Sequence, residues 1–231
     1  MPLNGIVPGG IRIEALAALG IPAPWLKRYP SGYAAISDVL TNVIPPPPLT
    51  TAAGGIVAFV GEQHSALRTA RAVARALKQD PDECVLLSPG ERPPGHIGEH
   101  IMVIDELSSR RDAWARLDRP TIVAIDVSFD RQDISWGRYA ISVLRPIMRW
   151  GVVDSTRKVE DIRWWARGLG GLHALAVTGV TSTATPAAVL QCGVPIARVD
   201  GQVATPALWQ KLLEQRLSDA ANRRVPDLIT A

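Results

Sequence analysis

Aromatic residues make up only 5% of this 231-residue chain, cysteine occurs twice, and no long apolar run is present. Each scarcity excludes something. A membrane-spanning helix needs roughly 18 or more consecutive apolar residues, and no stretch approaches that length. Cys84 and Cys192 lie far apart, each beside apolar residues. That excludes a disulfide framework and a cysteine-rich metal site, and predicts two buried, reduced thiols. His64, His96, His100 and His173 never pair at metal-ligand spacing. The nearest case, His96 with His100, spans Gly98 beside a proline-rich loop, so no metal is expected. No G-x-S-x-G elbow marks a hydrolase nucleophile. The start of the chain has no basic segment followed by an apolar one, so a signal peptide is not expected and a cytoplasmic location is.

The net charge of +3 and isoelectric point of about 9.1 are mildly basic. Arg68, Arg71, Arg75 and Lys78 recur every three or four residues as a stripe. Such a stripe is read either as the solvated face of a helix or as a surface for an acidic partner. No stacking aromatics interleave with it, which argues against nucleic acid.

What is present is an alternation. Short apolar runs at 56–60, 83–87, 100–104, 121–126, 150–154, 172–178 and 195–199 read as strands. Helical patterns at 65–78, 106–117, 134–148, 159–169, 186–191 and 206–217 fill the gaps. The expected fold is α/β, a mostly parallel sheet of about seven strands with helices on both faces. Thr185-Pro186 and Thr205-Pro206 look like helix starts, and Gly193 like a helix end. Residues 1–44 read as a small helical region, with helices at 11–19, 24–29 and 33–43 and with Trp25 and Tyr29 docking it onto the sheet. Residues 45–54 are a proline-rich linker, 55–217 the α/β domain and 218–231 a tail.

The stretch from Ile56 to Lys78 has the frame of a phosphate-binding loop. In G-x-x-x-x-G-K-[ST], glycines let amides curl around phosphates, lysine neutralises charge and Ser/Thr holds magnesium. Here Gly61 is in place, but Ala66, Leu67 and Arg68 stand at the second glycine, lysine and Ser/Thr positions, and Glu62 adds negative charge. The helix that follows puts Ala66, Ala70, Val73, Ala74 and Leu77 on one face. Ligands of doubly wound sheets bind at the strand C-termini. Those are 61–68, 88–98, 126–130, 154–158, 178–183 and 200–202.

Read in order, these segments resemble the signal-recognition-particle GTPases, especially the FlhF branch, and so imply a P-loop NTPase-like domain preceded by helices. Val152-Val153-Asp154-Ser155-Thr156 is similar to that family's V-D-A-T strand end. Thr178-Gly179-Val180-Thr181 lies over T-K-x-D, Gly193-Val194-Pro195-Ile196 over G-x-P-[IV], and Asp200-Gly201-Gln202 over the loop that closes on the base. The departures fall on the nucleotide. Leu67 replaces the lysine, and Gly179 and Thr181 replace the guanine-reading lysine and aspartate. Residues 88–94 carry three prolines where D-T-x-R would stand, and Asp126-Val127-Ser128-Phe129 replaces D-T-A-G.

The resemblance therefore implies a relative with no nucleotide cofactor, not an enzyme. It implies action through protein contacts, as a homo- or heterodimer pairing through the former nucleotide face. Pocket candidates are Gly61, Ser65, Arg68, Asp126, Asp154, Thr178 and Gly201, although Asp126 and Asp154 also read as turn caps. Interface candidates are Arg71, Arg75 and the outward-facing Trp164. The competing reading is an enzyme or sensor in which Ser65, Arg68 and the first amides of their helix hold another anion.

Overall fold

The protein is described by a computed structural model covering residues 6–7, 10–11, 13–27 and 45–222. A hairpin of β1 (Ile6–Val7) and β2 (Gly10–Ile11) precedes two short helices, α1 (Ile13–Ala18) and α2 (Ala23–Leu26). The α/β part then runs β3 (Ile56–Gly61), α3 (Gln63–Ala76), β4 (Val85–Leu87), β5 (His100–Ile101), α4 (Leu107–Trp114) and β6 (Thr121–Asp126). It continues through α5 (Arg131–Leu144), β7 (Met148–Asp154), α6 (Val159–Gly168), β8 (Ala174–Thr178), β9 (Ile196–Val199), β10 (Gln202–Val203) and α7 (Pro206–Asn222).

Eight strands form one sheet in the order β10-β9-β8-β7-β3-β6-β4-β5. All neighbours pair in parallel except β9 with β10. β3 is central, and all six of its residues are buried, as a strand covered on both faces requires. The two faces are unequal. On one, α3 packs Ala66, Leu67, Ala70, Val73 and Ala74 against Phe59, Trp150 and Val152. On the other, a larger core gathers buried side chains of α4 to α7 together with Leu16, Ile21 and Leu26.

The expected sheet needs three corrections. An eighth strand, β10, follows a two-residue turn in which Asp200 and Gly201 have φ of 44° and 82°. Asp-Gly with both φ positive is the hairpin turn that matches strand twist. β5 is two residues long, because the chain turns into a 3-10 helix at Ile104–Glu106. The segment expected as a helix at 186–191 is a 3-10 helix, Pro186–Cys192, without a side-chain cap from Thr185; Thr205 does cap α7, its Oγ1 accepting from the Leu208 amide at 3.1 Å.

Helix α5 stops at Leu144 rather than 148. Arg145 takes φ of 50°, and Pro146 disfavours an α conformation at the residue before it. The N-terminal region also differs from expectation. Residues 10–11 are strand, α2 ends at Leu26, and 33–43 fall outside the described residues, as does Tyr29. Trp25 is exposed; docking is carried instead by Leu16, Leu19, Ile21 and Leu26. Backbone bonds reinforce it: Leu19 O accepts from the Ala187 amide at 3.0 Å, and Gly20 O from Gln191 Nε2 at 2.9 Å.

Cys84 and Cys192 are buried free thiols, and burial pushes them up to about 12 and about 11. Neither should react with DTNB at neutral pH until the chain unfolds. Fast labelling of the folded protein would contradict this packing. Leu67→Ala should cost about 2–5 kcal/mol in denaturant unfolding, and Leu67→Lys more, since a cation would enter an apolar layer.

Candidate functional site

In parallel sheets the strand C-termini line up along one edge, and here they bring together segments far apart in sequence. Gly61 pairs with Asp126 across β3 and β6, and Asp154 with Thr178 across β7 and β8. Gly61 is a glycine because β7 is close: a Cβ there would lie 2.5 Å from the Val152 carbonyl oxygen. Only Glu62 separates the end of β3 from the start of α3. The frame of a phosphate-binding loop is therefore wound into helix from Gln63 onward. Leu67, at the lysine position, is 4% exposed and faces the sheet.

The N-terminus of a helix attracts anions, because its first amides lack intrahelical acceptors. At α3 that anion is Asp126. Its Oδ1 accepts from the Gln63 amide at 2.9 Å, and its Oδ2 from Ser88 Oγ at 2.7 Å. Gln63 extends the network, its Nε2 donating to Ser88 Oγ at 3.2 Å and to Glu91 O at 3.0 Å. Burial raises the Asp126 pKa above the ordinary carboxylate value, against the opposing pull of the two hydrogen bonds.

Two clefts border α3. The first, of about 430 Å³, is lined by Glu62, Ser65, Phe129, Asp154, Arg157 and Lys158 among others. Arg157 bridges it, bonding Glu62 Oε1 at 2.6 Å while its guanidinium sits 4.4 Å from the Phe129 ring centroid. Phe129 stacks in turn on the fully buried Trp165, centroids 5.1 Å apart and planes 18° from parallel. Asp154 caps its own turn, Oδ1 accepting from the amide and the hydroxyl of Thr156 at 2.8 and 2.6 Å. The second cleft, of about 300 Å³, borders the middle of α3 and contains Arg68, Thr178, Arg198, Asp200 and Gly201.

The candidates thus divide. Gly61 and Asp126 form the closed junction, Ser65 and Asp154 border the first cleft, and Arg68, Thr178 and Gly201 border the second. The basic stripe is not uniform either. Arg71 leaves it, donating to Gly95 O at 3.2 Å and lying 3.7 Å from Asp82, while Arg75 is exposed. Trp164 is 43% exposed on α6, with the Arg131 guanidinium 6.0 Å from its ring centroid.

No protein-family model matches the sequence, and no curated protein matches it. Solved structures do match the fold. One is FlhF complexed with GTP and Mg²⁺, with 12% identity and a TM-score of 0.63, covering 87% of this chain and 96% of that one. Another is the signal recognition particle receptor FtsY from Elizabethkingia anophelis, with 12% identity and a TM-score of 0.58, covering 89% and 82%. The chain has the FlhF and FtsY fold. It is a P-loop NTPase-like α/β architecture, matched over nearly the full FlhF chain.

Within that fold, the strand-end segments 61–68, 88–98, 126–130 and 154–158 contain Gln63, Ser88, Phe129 and Arg157, but sequence reasoning singled out none of the four, and Arg198 lay outside every segment. Only Arg198 carried a local signal, a charge inside the otherwise apolar run 195–199. Gln63 and Ser88 reach Asp126 from other elements, and Glu62 lies 95 residues from Arg157, so no local pattern reveals either contact.

The Asp126 geometry has a pH signature. Because its folded-state pKa is raised, the folded chain holds this proton more tightly than the unfolded chain. Stability from that difference is present at and below the ordinary carboxylate pKa of about 4, and is lost as pH rises through the raised folded value. The melting temperature of the natural chain should therefore rise relative to that of Asp126→Asn as pH falls from neutral towards 4. Parallel curves for the two proteins would contradict the assignment.

Proposed function

We propose that this chain is a non-catalytic relative of the signal-recognition-particle and FlhF GTPases, a cytoplasmic module that acts by binding another protein. The observation that carries the reading is the junction at α3. Its first amide is already bonded to Asp126, the connection from β3 is one residue, and the lysine position is a buried leucine. A triphosphate at this helix would have to displace Asp126, unwind the first turns and pull Leu67 from the core. No lysine waits there to compensate.

With the pocket closed, the surface around it supports pairing. Away from it, exposed Arg75 in the last turn of α3 and exposed Trp164 on α6, helices on opposite faces of the sheet, offer two separate contacts of the residue types that dominate contact energies. The mixed charges at the first cleft, Glu62, Asp154 and Asp161 with Arg157 and Lys158, suit a polar, self-complementary or oppositely patterned partner. A second copy of this chain or a related G domain fits that description.

Calorimetric titration with GTP, GDP and ATP, each with and without magnesium, tests the reading. The expected result is no magnesium-dependent binding; micromolar, magnesium-dependent GTP binding would overturn it. Sedimentation equilibrium, alone and with a co-purified partner, should show a complex that Trp164→Ala or Arg75→Glu weakens about tenfold or more, the scale of a contact hot spot.

A further inference from the structure

The second cleft has features that the closed junction does not explain. Arg198 reaches it from β9, a strand whose other residues are buried and apolar. Its Nη1 donates to Gly201 O at 2.7 Å, but its Nε is buried and has no hydrogen-bond partner. A buried guanidinium N–H left unpaired calls for a reason, and an absent ligand is one. Burial also lowers the Arg198 pKa from its ordinary value, as expected for a cation with no carboxylate paired to it. Arg71 and Arg149 carry the same orphan Nε, but neither lines either cleft.

Arg68 enters the same space from α3. It is exposed, and among the described residues it has no ion pair or hydrogen bond. Two guanidiniums therefore line one cleft, one unpaired and the other with an unpaired N–H. The apolar part of the wall is Ala72, Ala176 and Val177. Asp200 is the acidic group at the cleft, and it is committed on one side: its Oδ1 accepts from the Gly179 amide at 2.7 Å. Its Oδ2 has no partner among the described residues.

We propose that Arg68 and Arg198 form a binding site for a small phosphate monoester, with Asp200 receiving a hydroxyl of the same ligand. Guanidinium forks match the oxygens of a phosphoryl group, and a dianion balances two cations better than a single carboxylate would. The cleft volume of about 300 Å³ lies at the small end of ligand pockets, room enough for a small phosphate monoester. The site is separate from the junction at Asp126, and it does not depend on the reading of the neighbouring surface as a docking face.

The test is calorimetry on the full chain with sn-glycerol 3-phosphate and with inorganic phosphate, at ionic strength matched by sodium chloride. Saturable binding of both is expected, glycerol 3-phosphate being the tighter. Arg68→Met and Arg198→Met should each weaken it about tenfold or more, the scale of a lost charge-assisted hydrogen bond. Arg138→Met, which removes an exposed arginine of α5 outside the cleft, should leave affinity unchanged. Arg68 is exposed, so its variant keeps the test valid if Arg198→Met fails to fold. Absence of saturable binding, or equal weakening by Arg138→Met, would overturn the proposal. Neither result would bear on the docking surface, which needs no phosphate.

Discussion

The hydrogen bond from the Gln63 amide to Asp126 Oδ1 is the contact on which the rest of the site depends. It joins the N-terminus of α3 to the end of β6, beside the central strand β3. A helix start needs an acceptor, and a carboxylate at the strand end supplies one with the charge that the helix dipole favours. Once Asp126 is there, α3 can begin one residue after β3 and run straight along the sheet. Leu67 then faces Val57, Phe59 and the other apolar side chains of that layer instead of reaching outward. Ser88 is held in the same network, which sets where the loop after β4 departs.

Charges around the junction are arranged in a similar, internally satisfied way. Glu62 pairs with Arg157, Arg157 lies over Phe129, and Phe129 stacks on Trp165. Both ionic partners are substantially exposed, 56% for Glu62 and 40% for Arg157, so the pair itself contributes no more than about 1 kcal/mol. Its effect is positional: it orders the turn after β7 across the mouth of the first cleft. The second cleft is the exception to this self-sufficiency. There two arginines share one cleft with a single carboxylate, Asp200, and neither forms an ion pair among the described residues.

Much of the fold was legible because parallel strands buried on both faces leave continuous apolar runs, as at 56–60 and 121–126. Long amphipathic helices were legible for the same reason that they are stable. What escaped was short or set from a distance. β10 is two residues and both are exposed, so no hydrophobic pattern marks it. Helix α5 begins at Arg131, three residues before its first apolar position, under an Asp130 cap that accepts from the Gln132 amide at 2.7 Å. The site divided along the same line. Strand ends could be named from sequence, but not which side chain crosses to which: Arg71 turned towards Gly95 and Asp82, while Arg198 emerged as a cleft residue.

The most direct measurement is an NMR pH titration of the Gln63 amide proton, with GTP and magnesium added at neutral pH in a second series. This resonance should follow the ionisation of Asp126, with a midpoint above the ordinary carboxylate value, and the nucleotide should leave it in place. A Gln63 amide that ignores pH across that range but shifts on addition of GTP and magnesium would show that the helix start is open to phosphate, and the central claim would fall.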